Sequence, residues 1–216
     1  MRKIQFINGE YYHIYNRGIE GREILKNKED YFKFFRGLKE FNNTSYYEQR
    51  LATFHQKELS SFLEGLERMV EIIAYSLNPN HFHLILKQLK ENGIPNFMHK
   101  VGTSSTNYFN KKYNRSGSLF QGPYKAIHID SNDYLLWLSG YVNGNIEIHQ
   151  LDKAETYQWS SYKNFLGKEK DKILGDINIV FSQFDGPEDY KNFAEIVIQE
   201  SRNKKEMQKY LLEELK

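Results

Sequence analysis

The sequence predicts an α+β domain in which a mainly antiparallel sheet carries helices packed on one face. Segments with strand and helix patterns follow one another in the order strand, helix, strand, strand, helix, strand, helix. A tight turn at residues 78–80, Asn-Pro-Asn, joins two of the strands directly. Proline is excluded from central strands and asparagine tolerates turn geometry, so the flanking segments are expected to pair as an antiparallel hairpin.

Four segments have the composition and alternation of β-strands. The first is rich in tyrosine, the second is an apolar run that leads into the turn, and the third leaves the turn at once. The fourth alternates, so that Ala126 and His128 share one face while Ile127 and Ile129 share the other. The expected strands are residues 9–17, 70–77, 81–86 and 124–130.

Apolar spacing and capping residues predict the helices. Asn27, or the charged residues after it, is expected to open the first helix, and Asp130 or Ser131 the third. Gly144 is expected to end the third helix, which places Asn145 just after the helix end. The expected helices are residues 29–41, 92–113 and 131–143, with a further short helix opening at 159–162.

The 216 residues suit one domain with an appended segment. We expect a domain over residues 1–166, with an inserted helical segment at about 44–69, and an α-helical extension over 167–216. The extension has balanced charges, and we identify no chemistry in it. Whether the protein is a monomer or a homodimer stays open.

Composition excludes several classes of function. The chain contains no cysteine, which rules out disulfides and thiolate zinc sites and fits a reducing, cytoplasmic compartment. No apolar run approaches the roughly 20 residues that a membrane-spanning helix needs, and the N-terminus lacks the apolar core of a signal peptide. We therefore expect no membrane partner.

Two histidines stand at the start of the third strand. Side chains alternate along a strand, so His81 and His83 share one face, while Phe82, Leu84 and Leu86 share the other. The apolar row would anchor the strand, and the two imidazoles would form half of a divalent-metal site. The spacing alone is also compatible with two polar residues on a hydrated face.

The stretch between residues 92 and 129 is basic and contains no aspartate or glutamate. Its cations alternate with aromatic residues, a combination that suits a phosphate backbone and unstacked bases. The alternative is a solvated helix face followed by a loop. The cations in question are Lys100, Lys111, Lys112, Arg115 and Lys125.

Four stretches together resemble the REP-associated tyrosine transposases, members of the HUH superfamily that act on single-stranded DNA. They are residues 12–18, 77–86 with the histidine pair, 117–125, and 141–145 followed by 159–162. The resemblance spans roughly residues 10 to 166. It implies a ferredoxin-like HUH fold, single-stranded DNA with hairpin structure as the partner, and cleavage that leaves a 5′-phosphotyrosyl link.

The resemblance also assigns roles to residues. Tyr141 matches the nucleophile, and Asn145 matches the ligand that completes a Mg²⁺ or Mn²⁺ site with His81 and His83. Ile146 stands where the family typically has proline, which leaves the position of the helix end open. Gln121 and Tyr124 lie in a family-like stretch, where they would contact DNA bases or brace the loop.

Alternatives remain open at this stage. Tyr134 lies on the same helix face as Tyr141 and competes for the role of nucleophile. His13, His99 and His128 are expected to be structural or exposed, although His128 would approach the site if its strand neighboured the histidine strand. A catalytically silent protein that binds structured single-stranded DNA, or a hydrolase of small phosphoesters, would also fit the fold and the basic stretch.

Overall fold

The computed structural model describes residues 4–42 and 68–213, with side chains to residue 205. Its sheet has four strands in the order β2-β3-β1-β4, and every neighbouring pair is antiparallel. This confirms the predicted fold class and the four predicted strands. The strands are β1 (Tyr11–Arg17), β2 (Val70–Leu77), β3 (His81–Gln88) and β4 (Lys125–Ile129).

Helices α1 and α2 connect the strands in the β-α-β-β-α-β order of a ferredoxin-like domain. Asn27 caps α1 and Ser131 caps α3, each by accepting a hydrogen bond from a backbone amide three residues later. None of the helices in the described ranges is long and apolar enough to cross a bilayer. The helices are α1 (Lys28–Glu40), α2 (Gly93–Lys112), α3 (Asn132–Asn143), α4 (Asn145–Ile148), α5 (Tyr162–Phe165), α6 (Asn178–Phe181) and α7 (Pro187–Glu213), with a 3₁₀ turn at Ile19–Gly21.

Helices cover both faces of the sheet, whereas the sequence predicted helices on one. Phe82 of β3 packs against Phe34 of α1 at a ring distance of 5.2 Å. The adjacent His83 points to the opposite face, where it contacts Tyr141 of α3 at 5.6 Å. The physical reason is that residues 81–86 are all buried, so the strand needs cover on both sides.

The C-terminal part differs from a continuous helical tail. Residues 167–177 form loops and turns before α6 and α7. α7 packs on α3 and α4, where Val197 and Ile198 lie against the glycines Gly140 and Gly144. The predicted insertion at 44–69 lies almost wholly outside the described residues, and the domain boundary at residue 166 stays a prediction.

The close approach of α7 to Gly144 makes this position sensitive to substitution. A Cβ atom there would overlap Ile198 Cγ1 and lie 3.0 Å from the Gly140 carbonyl oxygen. We expect Gly144→Ala to lower the free energy of unfolding by about 1–3 kcal/mol, the scale of overpacking, measured by urea denaturation. Gly102→Ala is the control, because a Cβ in the middle of α2 meets nothing within 4 Å. It should raise stability by about 0.5–1 kcal/mol, and equal effects of the two changes would contradict the prediction.

Candidate active site

The pairing of β1 with β3 places a third histidine beside the predicted pair. His13 lies opposite Ile85, on the same sheet face as His83. Its Nε2 is 2.8 Å from His83 Nδ1, and both side chains are buried. His13 was expected to be either structural or exposed, and it is structural. Its hydrogen bond orients the His83 ring.

His81 presents a nitrogen lone pair to Asn145. Its Nδ1 donates to Asn80 Oδ1 at 2.6 Å, since an amide oxygen can only accept. Burial is the main factor that lowers the pKa of His81, so the ring is neutral near pH 7 and Nε2 carries no proton. That Nε2 atom lies 2.9 Å from Asn145 Oδ1 and 2.9 Å from Asn78 Nδ2.

Asn145 begins α4 and is fully buried. Asn78, from the turn before β3, donates from its Nδ2 to Asn145 Oδ1 at 2.6 Å. Asn145 Nδ2 has no hydrogen-bond partner among the described residues. The Asn145 carboxamide thus reaches His81 with Ile146, rather than a proline, as the next residue.

Tyr141 lies on α3, about one helical turn before Asn145 in the chain. Its ring meets His83 edge-on at 5.6 Å and stacks on Trp137 at 5.4 Å. Burial raises the pKa of the Tyr141 phenol, and the neighbouring Asn145 side chain opposes that rise in part. Tyr134, the competing candidate, makes no ring contact with His81 or His83 within the described ranges. The structure therefore brings together the four side chains His81, His83, Tyr141 and Asn145.

A cleft of about 580 Å³ opens beside the two histidines. Two residues from the predicted DNA-binding set, Gln121 and Lys125, lie on its wall. The lining residues in the described part of the chain include no aspartate or glutamate. They are Tyr15, Asn16, Arg17, Asn80, His81, His83, Gln121, Pro123, Lys125, His149 and Lys205.

Sequence reasoning missed three basic residues of the cleft. Arg17 lies at the end of β1, and its position in the family-like stretch at residues 12–18 was the signal that could have identified it. His149 lies 4.6 Å from the His81 ring, and burial above all lowers its pKa to about 4. Lys205 of α7 donates to His149 Nδ1 at 2.9 Å. His149 directly follows α4, four residues after Asn145, so its spacing from Asn145 was the signal that could have identified it. No local pattern marks Lys205, because only the packing of α7 brings it to the cleft.

Two predicted DNA-binding residues have internal partners. Lys112 contacts Asp30 at 2.8 Å and Glu29 at 2.9 Å, so its ammonium joins α2 to α1. Arg115 donates to Asn110 Oδ1 at 2.8 Å and to the Ser118 carbonyl at 3.1 Å, which braces the loop after α2. Neither group lies on the cleft, and DNA binding by either stays a prediction without a supporting contact.

The remaining candidates lie away from the histidines. Lys111 is exposed on α2 and Lys100 is half-buried on the same helix. Tyr124 and His99 line a second cavity of about 660 Å³ between α2 and the loop before β4. His128 bonds Glu10 at 2.9 Å, and it stays away from the site because β4 pairs with β1 rather than with β3.

The Asp30 cluster yields a stability prediction. Burial alone would raise the Asp30 pKa, but hydrogen bonds from Lys112 and Tyr113, with others, lower it. A depressed folded-state pKa stabilises the fold above the unfolded value of about 3.9, and this stabilisation is lost as pH falls through the folded-state pKa. We expect Asp30→Asn to cost about 2 kcal/mol at pH 7 and less at pH 2, measured by urea denaturation.

The control for Asp30 is Glu20→Gln, which removes an exposed ion pair with Arg22 at 3.4 Å. Such a pair contributes at most about 1 kcal/mol. A pH-independent cost of Asp30→Asn would show that the charge of Asp30 does not stabilise the fold.

Comparison with known proteins finds one family that is similar to the segment carrying this site. A family model described as "Transposase IS200 like" matches residues 41–145, a range that contains His81, His83, Tyr141 and Asn145. The match places these residues in a segment similar to the IS200-like transposases. The resemblance predicted from the sequence is thus confirmed.

The fold of the protein also matches a solved structure. That structure is described as a REP-associated tyrosine transposase bound to a REP hairpin. The TM-score is 0.54 at 15% sequence identity, and the match covers 82% of this chain and 92% of that one. At this identity the likeness shows the fold. The comparison with curated proteins found no match.

Proposed function

We propose that this protein is a metal-dependent single-stranded DNA endonuclease and strand transferase, with Tyr141 as its nucleophile. The proposal rests on one observation: a phenol, two imidazoles and a carboxamide converge beside a cleft whose charged lining groups are cations. A phenol at this position suits covalent catalysis, and the cationic wall suits a phosphodiester backbone.

The donor set at the site fits a divalent cation. His81 Nε2 and Asn145 Oδ1 both present lone pairs to each other across 2.9 Å, an approach that a shared cation would stabilise. His81, His83 and Asn145 would hold Mg²⁺ or Mn²⁺. Among the described residues no three His, Asp or Glu side chains are arranged to hold a metal ion, so the Asn145 amide would supply the third ligand. When bound, the ion would act as a Lewis acid toward the scissile phosphate.

Tyr141 performs the covalent step. Its phenolic oxygen forms a bond to phosphorus, the bond from phosphorus to the 3′ oxygen breaks, and the phenol loses its proton. The products are a 5′-phosphotyrosyl link and a free 3′-OH. Because the phosphoester bond energy is retained, a 3′-OH of another strand can reverse the step and join the DNA. Burial keeps the phenol protonated at rest, since it raises the pKa of Tyr141.

We infer that the substrate is single-stranded DNA next to a hairpin. The structural neighbour is a transposase bound to a REP hairpin, and the acid-free stretch 92–129 supplies exposed cations such as Lys111 and Lys125. The test is incubation with a labelled hairpin carrying a single-stranded flank in the presence of Mn²⁺. A protein–DNA adduct that survives denaturing electrophoresis is the expected product. Free cleaved DNA without an adduct would instead indicate a phosphoester hydrolase.

A further inference from the structure

Three cations from different elements meet on the cleft beside the histidines. Arg17 comes from β1, Lys125 from β4 and Lys205 from α7. The lining residues of the cleft, within the described part of the chain, supply no carboxylate to balance them. The positive charge of the cleft is therefore available to an anionic ligand.

Lys205 is an exposed residue of α7 that contacts the site through His149. Its ammonium donates to His149 Nδ1 at 2.9 Å, and the His149 ring packs on the His81 ring at 4.6 Å. An ammonium has three N–H donors, so the single hydrogen bond to His149 leaves donors for a second acceptor. Burial and the nearby Arg17 guanidinium both lower the pKa of Lys205, as expected for cations close together without a counter-ion.

The shape and the wall chemistry of the cleft favour an anion attached to a larger molecule. A volume of about 580 Å³ lies within the range of small-ligand pockets, roughly 300–1,000 Å³, and exceeds what one phosphate group needs. The Tyr15 ring and the exposed side chain of Gln121 lie on the same wall, where they offer an aromatic surface and an amide. A nucleotide with its backbone phosphate uses all three kinds of group.

We propose that Arg17, Lys125 and Lys205 form a phosphate seat for the DNA strand that flanks the scissile phosphate. This inference rests on the proposed function. It assigns α7, in which the sequence showed no chemistry, to the nucleic-acid interface through Lys205. It also gives a role to His149, a half-buried ring that packs on His81 and accepts a hydrogen bond from the Lys205 ammonium.

The test measures binding without catalysis. A fluorescent single-stranded DNA with a hairpin is titrated with protein in EDTA over a range of salt concentrations, and anisotropy reports the affinity. One phosphate contact in single-stranded DNA contributes about 0.7 to the slope of log K against log salt. Lys205→Gln should therefore reduce that slope by about 0.7 and weaken binding roughly fivefold at 0.1 M salt.

Two control variants test whether the effect depends on the position and the charge of Lys205. Lys191→Gln removes the same charge from α7 but lies about 21 Å away, where Lys191 faces Glu155 at 3.7 Å. It should leave affinity and slope unchanged. Lys205→Arg keeps the charge and should restore the slope, while equal urea midpoints confirm that all variants fold.

The proposal is overturned if Lys205→Gln binds with the slope and affinity of Lys191→Gln, or if Lys205→Arg behaves like Lys205→Gln. The assay contains no metal and needs no cleavage, so its outcome is independent of the nucleophile. Adduct formation with an unchanged Lys205→Gln slope would refute the phosphate seat alone. A reduced slope in a protein that forms no adduct would refute the strand transferase alone.

Discussion

We expect Tyr141→Phe to abolish the covalent protein–DNA adduct and to leave the fold intact. The change deletes one oxygen from a ring that keeps its contacts with Trp137 and His83, so packing is retained. Without that oxygen no bond to phosphorus can form, and the rate should fall at least about 1,000-fold, as for other enzymes that lose a nucleophile. The measurement is denaturing electrophoresis of labelled hairpin DNA after incubation with protein and Mn²⁺.

Tyr134→Phe is the matched control, because it removes the same atom from the same helix and leaves the site untouched. We expect it to form the adduct at the normal rate. An adduct that persists in Tyr141→Phe would show that another group is the nucleophile. Salt-dependent hairpin binding by the normal protein, with no adduct under any divalent ion, would instead identify a binding protein that has lost turnover.

The second large effect concerns the histidine pair. His81→Ala and His83→Ala each remove one of the three proposed metal ligands. Each change should lower the rate of adduct formation at least about 100-fold, because the bound ion would contribute several kcal/mol of Lewis-acid stabilisation. Excess EDTA should have the same effect on the normal protein. Calorimetric titration with Mn²⁺ gives a readout apart from activity: binding heat is expected for the normal protein and should be lost in both variants.

His128→Ala controls for general effects of losing an imidazole from the sheet. His128 bonds Glu10 from the opposite face of the sheet, so its loss should leave Mn²⁺ binding and adduct formation unchanged. Full activity of the normal protein in EDTA would refute the metal proposal. So would undiminished Mn²⁺ binding by His81→Ala and His83→Ala.

The parts of the site that the sequence predicted are those that depend on short-range geometry. His81 and His83 share a face because side chains alternate along any strand, and the turn at 78–80 starts that strand. Tyr141 and Asn145 are close because four residues make about one helical turn. These relations hold within a few residues, so a pattern in the sequence is enough to reveal them.

The partners of the charged side chains could not be predicted from short-range patterns. Lys112 belongs to a basic stretch and was predicted to bind DNA, but it is paired with Asp30, which lies 82 residues earlier in the chain. Lys205 was assigned no role, yet it lies on the cleft because α7 packs against α3 and α4. A long side chain takes its function from whichever charges the fold brings near it, and composition does not record those charges.

The sequence by itself determined the order of strands and helices, the paired imidazoles, and the four-residue spacing between the phenol and the carboxamide. The tertiary structure decided that His13 orients His83 and that His149 positions Lys205. It also decided that helices cover both faces of the sheet. Covalent geometry and local periodicity act over a few residues, whereas these contacts join residues 56 to 70 positions apart and exist only once the sheet is ordered and α7 has packed.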